Sequence, residues 1–237
     1  MNREEYIKEK LSGLNIYITN DIIQNLLKFY EMLIEKNKVM NLTAITDFED
    51  VVIKHFCDSV ALSKYVDLNM KISVADLGTG AGFPGVPLKI CFPELDVTLI
   101  DSLNKRIKFL DEVIDELALE NIRTVHSRAE DISHKADHRE KYDICVSRAV
   151  ANLSTLSEYC LPLVKPDGKF ISYKSGDVDE EAAGAKNAVK ILGGEITSIE
   201  KFDLYDDISR SFVFVSKIKP TPKKYPRKAG TPSKEPI

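Results

Sequence analysis

The amino-acid sequence predicts an α/β protein: a doubly wound, mostly parallel seven-stranded sheet with a C-terminal antiparallel hairpin and a helical N-terminal cap. Three observations predict it. From Lys71 onward five short apolar runs, ISVADLG, LDVTLID, NIRTVHS, YDICVSRA and GKFISYK, alternate with helical stretches, the pattern of parallel strands covered on both faces by helices. Two further runs, EITSIEKFDL and RSFVFVSKIK, are separated only by a short polar turn at residues 205–209, which makes them a hairpin. Before Lys71 the apolar spacing is helical. The chain therefore divides into a cap (1–70), a sheet core (71–219) and a basic C-terminal extension (220–237).

The helices are placed by periodicity. Between residues 20 and 37, Ile22, Ile23, Leu26, Leu27, Tyr30, Leu33 and Ile34 recur at three- and four-residue spacing, one face of a helix that Asn20 or Asp21 would cap. A second helix is expected at about residues 48–65, with Val51, Val52, His55, Phe56, Ser59, Val60 and Leu62 near one face. In the core, residues 104–117 show Ile107, Leu110, Val113, Ile114 and Leu117 at helical spacing. Residues 153–164 form a short helix ended by Pro166, Asp167 and Gly168, and residues 178–192 form another, stopped by Gly193 and Gly194.

Composition narrows the class. The 237 residues are 43% hydrophobic and 30% charged, which argues against disorder, collagen and coiled coil. No apolar stretch approaches the roughly 20 residues of a membrane-crossing helix, and the charged N-terminus lacks the apolar region of a signal peptide, so a cytoplasmic location is expected. Cys57, Cys91, Cys145 and Cys160 are spaced as neither a disulfide framework nor paired metal ligands, and the four histidines form no metal motif; no metal is expected. Net charge is −4, yet residues 217–237 carry seven Lys or Arg against Glu235 alone. A basic end on an acidic body points to a polyanion partner or to a solvated tail.

The run VADLGTGAGFPG carries a strand straight into Gly78, Gly80, Gly82 and Gly85, a loop that lets a ligand approach the backbone at the start of the next helix. The dinucleotide fingerprint G-x-G-x-x-G has Phe83 at its last position here, which weakens a nicotinamide or flavin reading, and a phosphate-binding Gly-Lys-Ser/Thr is missing. The second strand ends at Asp101, placed to accept hydrogen bonds from ribose hydroxyls; either nucleoside cofactor satisfies that geometry. After the third strand come Ala129, Glu130 and Asp131, placed to edge an adenine, and after the fourth Ser147, Arg148 and Ala149. Singly each has an ordinary explanation: a helix cap, a solvated turn, a surface cation. Their joint position at successive strand ends favours a binding site.

DLGTGAGFPG, the later VSRAVA, the early NLTAI followed by His55 and Asp58, and the terminal PRKAGTPSKEP together resemble the bacterial 16S ribosomal RNA guanine-N7 methyltransferases, formerly called glucose-inhibited division protein B. The resemblance spans nearly the whole chain. It implies a Rossmann-like class I methyltransferase that uses S-adenosylmethionine to methylate one guanine N7 in a decoding-region loop of 16S rRNA. It also implies cofactor contacts at Gly78, Phe83, Asp101, Ala129, Glu130 and Arg148, with Gly80 and Gly82 completing the loop.

Enzymes that methylate exocyclic amines commonly carry an Asn/Asp-Pro-Pro-aromatic motif after the fourth strand; here Ser147-Arg148-Ala149-Val150 stands there. Guanine N7 offers an in-plane lone pair and has no proton to lose. Direct in-line transfer then needs no general base, only alignment and exclusion of water, so no catalytic acid or base is named and Arg148 is expected to position the guanine or a phosphate. Asn41, Thr43, His55 and Asp58 either hold the cap together or help place RNA. Arg227, Lys228 and Lys234, with Gly230 and Pro232, make a basic segment suited to phosphates and ill suited to burial. The expected partner is 16S rRNA or the small ribosomal subunit, and a monomer is expected. The competing readings are a methyltransferase for another RNA site or a small molecule, and a non-catalytic cofactor-sensing RNA-binding or assembly protein; trimming the chain after Ile218 is expected to separate rRNA methylation from small-molecule turnover.

Overall fold

The protein is described here by a computed structural model, which covers residues 1–14, 16–205 and 208–237. The N-terminal part is helical. Helix α1 (Arg3–Leu11) is capped by Asn2 and Glu5, each side chain bonding the other's backbone N–H. Helix α2 (Asn20–Met40) begins after Thr19, not at a cap on Asn20 or Asp21 as expected: Thr19 is extended, and its Oγ1 accepts from the Ile22 N–H at 3.3 Å while Asn20 is already helical. Its end is Asn41 in the left-handed region, φ 48°, a conformation asparagine tolerates.

The second expected helix is present but interrupted. It runs as α3 (Phe48–Val51), a π-helical turn (Val52–Cys57), α4 (Asp58–Val60) and a 3-10 turn (Ala61–Lys64). The widened turn carries His55, and Asp58 follows it on the next.

Strands β1 (Ser73–Leu77), β2 (Asp96–Asp101), β3 (Ile122–His126), β4 (Tyr142–Arg148), β5 (Val164–Ser175), β6 (Gly194–Leu204) and β7 (Ile208–Lys217) form one seven-stranded sheet in the order β3-β2-β1-β4-β5-β7-β6. The first five are parallel; β7 lies antiparallel between β5 and β6, so the hairpin closes the sheet as expected. The hairpin turn at 206–207 lies outside the described residues. Helices α5 (Gly85–Cys91), α6 (Asn104–Glu116), α7 (Ala129–Ile132), α8 (Leu153–Cys160) and α9 (Asp179–Ile191) make the crossovers. The helix expected to reach residue 164 ends sooner: α8 passes through a 3-10 turn (Leu161–Leu163) into β5, because Val164 already pairs with Tyr142 and the Pro166–Gly168 stretch is an irregularity within that strand.

The strands alternate between two cores, as side chains on a sheet must. Val74, Ile144 and Val146 pack with the cap helices, α5 and α6 around Phe29, Phe56 and Phe109. Their neighbours Ala75 and Cys145 pack with α8 and α9 around Leu156, Phe170 and Val189. The order of strands reverses between β1 and β4, and their carboxyl ends open the crevice where ligands bind in such sheets.

The C-terminal extension departs from expectation. Far from being ill suited to burial, it buries Thr221, Tyr225, Pro226 and Pro232 against the body, and ends in α10 (Thr231–Lys234). The cause is polar pairing that composition cannot reveal. Arg139 donates to the carbonyls of Thr221 and Tyr225, both at 2.9 Å, and Arg227 is held by Glu158, which is fully buried on α8.

Candidate functional site

Two cavities adjoin at the carboxyl ends of the strands, and Ala149 lines both. The first, of about 460 Å³, lies over β1, β2 and β3 and is lined by Gly78, Asp101, Leu103, Arg106, Ala129, Glu130, Val150 and Tyr159 among others. Its floor is the glycine loop. Gly78 (φ +73°) and Gly80 (φ +62°) are left-handed, and the N–H groups of Gly78 and Thr79 both bond the Ile100 carbonyl, which fastens the loop to β2. Asp101, buried, organises the rim: Oδ2 accepts from the Gly80 N–H at 3.0 Å and from Arg106, and Oδ1 accepts from the Leu103 N–H at 2.8 Å. A Cβ on Gly78 would stand 2.5 Å from a methyl of Val150, so glycine is what lets the loop and residue 150 meet at the cavity wall. Below the loop Asp76 takes hydrogen bonds from Thr79 and Gly85, its other oxygen is buried without a partner, and burial pushes its carboxyl up to about 6.

The second cavity, of about 520 Å³, lies over β4, β5 and β7 against the cap and is lined by Lys54, His55, Asp58, Arg148, Tyr173, Lys174, Glu181 and Arg210 among others. Asp58 holds two arginines, Arg148 at 2.7 Å on Oδ2 and Arg210 at 2.7 Å on Oδ1. Arg148 also donates to the Lys54 carbonyl at 3.2 Å and to His55 Nδ1 at 3.1 Å, with its guanidinium 5.2 Å above the Phe83 ring. His55 stacks on Phe83 and meets Thr43 Oγ1 at 2.9 Å through Nε2. Since an arginine can only donate, Nδ1 is the acceptor and the ring is neutral; burial, and then the Arg148 charge, hold its pKa down at about 3. Lys174 pairs with Glu181 at 2.7 Å.

The structure sorts the expected site residues. Gly78, Asp101, Ala129 and Glu130 come together in the first cavity, whereas Arg148 and His55 line the second. Phe83 lies buried beneath Arg148 and His55, and Gly80 and Gly82 shape the loop without lining either cavity. Asn41 serves as the left-handed end of α2. Arg227 turns inward to Glu158, while Lys228 and Lys234 are exposed. Sequence reading missed Arg210, Lys54 and Lys174 in the second cavity and Arg106 and Tyr159 in the first. Arg210 had one signal, a cation at the head of the otherwise apolar run SFVFV.

A glycine loop after β1, a carboxylate ending β2 and the 3-2-1-4-5-7-6 order define a Rossmann-like class I methyltransferase fold. Solved structures share it: a SAM-dependent O-methyltransferase from Thermotoga maritima, 16% identical with a TM-score of 0.53 over 80% of this chain and 72% of that one, and a 16S rRNA (adenine(1408)-N(1))-methyltransferase variant from Catenulisporales acidiphilia, 13% identical, TM-score 0.54, covering 64% and 88%. The family described as "GidB: rRNA small subunit methyltransferase G" matches residues 22–210. Proteins named ribosomal RNA small subunit methyltransferase G are similar along their length: that of Alkaliphilus oremlandii (strain OhILAs) is 51% identical over 100% of both chains, and that of Staphylococcus aureus (strain Newman) 49% over 98% of both. The chain belongs to the rRNA small subunit methyltransferase G family.

Proposed function

We propose that this protein methylates the N7 atom of one guanine in 16S rRNA, with S-adenosylmethionine bound in the first cavity and the guanine presented in the second. The observation that carries the choice of acceptor is that, among the described residues, the carboxylates and the imidazole lining the second cavity are already engaged. Asp58 is paired to two arginines, Glu181 to Lys174, and His55 Nδ1 accepts from Arg148. Such a site suits an acceptor with a lone pair and no proton to remove, which guanine N7 is.

The first cavity fits the proposed cofactor by its donor set. A buried carboxylate at the end of β2 suits ribose hydroxyls, Glu130 suits an adenine edge, and Leu103 and Val150, each 43% exposed, offer apolar walls beside them. The cofactor supplies an electrophilic methyl group. The protein's part is to hold the acceptor beside that group and exclude water, which is where well-oriented sites gain about 7–11 kcal/mol. Arg148 and Arg210, fixed by Asp58, present cations to a base edge or phosphate. Lys228 and Lys234, exposed on the C-terminal segment, add cations suited to rRNA phosphates.

The test supplies labelled S-adenosylmethionine with deproteinised 16S rRNA and, separately, with assembled small subunits, then maps 7-methylguanosine by alkali-sensitive chain cleavage. One labelled site, cleaved by that chemistry, is expected. Label that is stable to it, or no transfer despite cofactor binding, would reject the N7 assignment.

A further inference from the structure

The C-terminal segment does more than cross the surface. It is tied to both elements that form the far wall of the first cavity. On α7, Glu130 lines the cavity and its Oε1 accepts from the N–H of Gly230 at 2.9 Å. On α8, Glu158 adjoins Tyr159, another lining residue, and receives Arg227 through the backbone N–H at 2.7 Å, Nε at 3.0 Å and a terminal nitrogen at 2.7 Å. Thr155 of the same helix donates to the Pro232 carbonyl at 2.9 Å. The two wall elements meet through Ser133, whose hydroxyl reaches the carbonyls of Ala129 and Tyr159.

We propose that residues 220–237 belong to the cofactor site, with Arg227 and Gly230 as positioning residues that act through Glu158 and Glu130. The proposal rests on the assignment of the first cavity to S-adenosylmethionine. Glu130 lines the cavity while its Oε1 is held by the N–H of Gly230, which stands in a left-handed backbone conformation (φ +81°). Tyr159 keeps its place because the residue before it is clamped by Arg227. Docking of the segment and occupancy of the cavity are then linked, and each favours the other by the same factor. The exposed Lys223, Lys224, Lys228 and Lys234 ride on this segment, so an RNA that holds it down tightens the cofactor site as well.

The test uses the full-length protein and S-adenosylhomocysteine. Hydrogen exchange at the amides of Arg227 and Gly230 is expected to slow several-fold on saturation with that ligand, and Arg227→Gln is expected to raise the KM for S-adenosylmethionine roughly tenfold with kcat retained at saturation. Arg227→Lys restores part of the affinity, and Lys186→Ala, at an exposed position on α9 that lines neither cavity, leaves ligand affinity as it was. Binding of S-adenosylhomocysteine with unchanged exchange at both amides overturns this proposal and leaves the cofactor assignment standing. Failure of the wild-type protein to bind that ligand at all overturns both.

Discussion

Arg148 donates a hydrogen bond to Nδ1 of His55 at 3.1 Å, and that one contact sets the state of both residues. It leaves the imidazole proton on Nε2, facing Thr43, and it occupies the terminal guanidinium nitrogen that does not bond Asp58. A lysine has the charge but not the planar fork needed to reach Asp58, the Lys54 carbonyl and His55 together. Arg148→Lys is therefore expected to lose about 1–3 kcal/mol of stability in urea denaturation. Methyl transfer should fall far more than affinity for S-adenosylhomocysteine, because Arg148 lines the second cavity and not the first. Parallel titration calorimetry and turnover measurements check the split.

His55 makes the fold sensitive to mild acid. Its pKa is about 3 in the folded protein against 6.5 ordinarily, lowered by burial and by Arg148. The unfolded chain therefore takes up a proton that the native state refuses. The stabilising contribution is whole above pH 6.5 and drains away as pH falls toward 3, about 2 kcal/mol of it between pH 6.5 and 5. Denaturation midpoints across that range should fall in the wild type and flatten in His55→Gln.

Gly78→Ala meets two obstacles, a left-handed backbone at φ +73° and the Val150 methyl 2.5 Å from the new Cβ. The strain is of order 1–2 kcal/mol, small enough for the protein to fold. Affinity for S-adenosylhomocysteine is expected to drop by about tenfold or more, since the cavity wall must shift. Adding Val150→Ala removes the collision but not the backbone strain, so the double variant should recover part of the affinity.

Removal of the segment after Ile218 is not the clean separation of rRNA from small-molecule turnover that composition suggests. It strips Arg227 from buried Glu158 and Gly230 from Glu130, and a buried carboxylate left unpaired costs about 3–5 kcal/mol. The truncated protein should show a lowered Tm and lose transfer to every acceptor. Lys228→Ala with Lys234→Ala is the better probe of RNA contact: both residues are exposed, so stability should stay within about 0.5 kcal/mol while binding of the small subunit weakens and its salt dependence flattens.

What the chain discloses before folding follows the range of the interactions. The five parallel strands, the hairpin, the glycine loop, Asp101 and Glu130 were legible because each is a local pattern or stands at a strand end, where topology brings successive ends together. Thr19 and the π-helical turn around His55 were not, since a one-residue shift of a cap or an extra residue in a turn leaves the periodicity almost intact. Longer-range pairings were hidden altogether. Arg210 and Asp58 lie 152 residues apart, and Arg227 and Glu158 lie 69 apart; nothing in the basic, proline-containing tail marks one of its arginines as the partner of a buried glutamate.

The central claim is the division of labour between the two cavities that share Ala149. A structure determined with S-adenosylhomocysteine bound tests it most directly. The ligand is expected over Gly78, with its ribose on Asp101 and its adenine beside Glu130, leaving the Arg148–Asp58–Arg210 cluster free for the acceptor. A ligand seated instead among Arg148, His55 and Arg210 would contradict the assignment of both cavities.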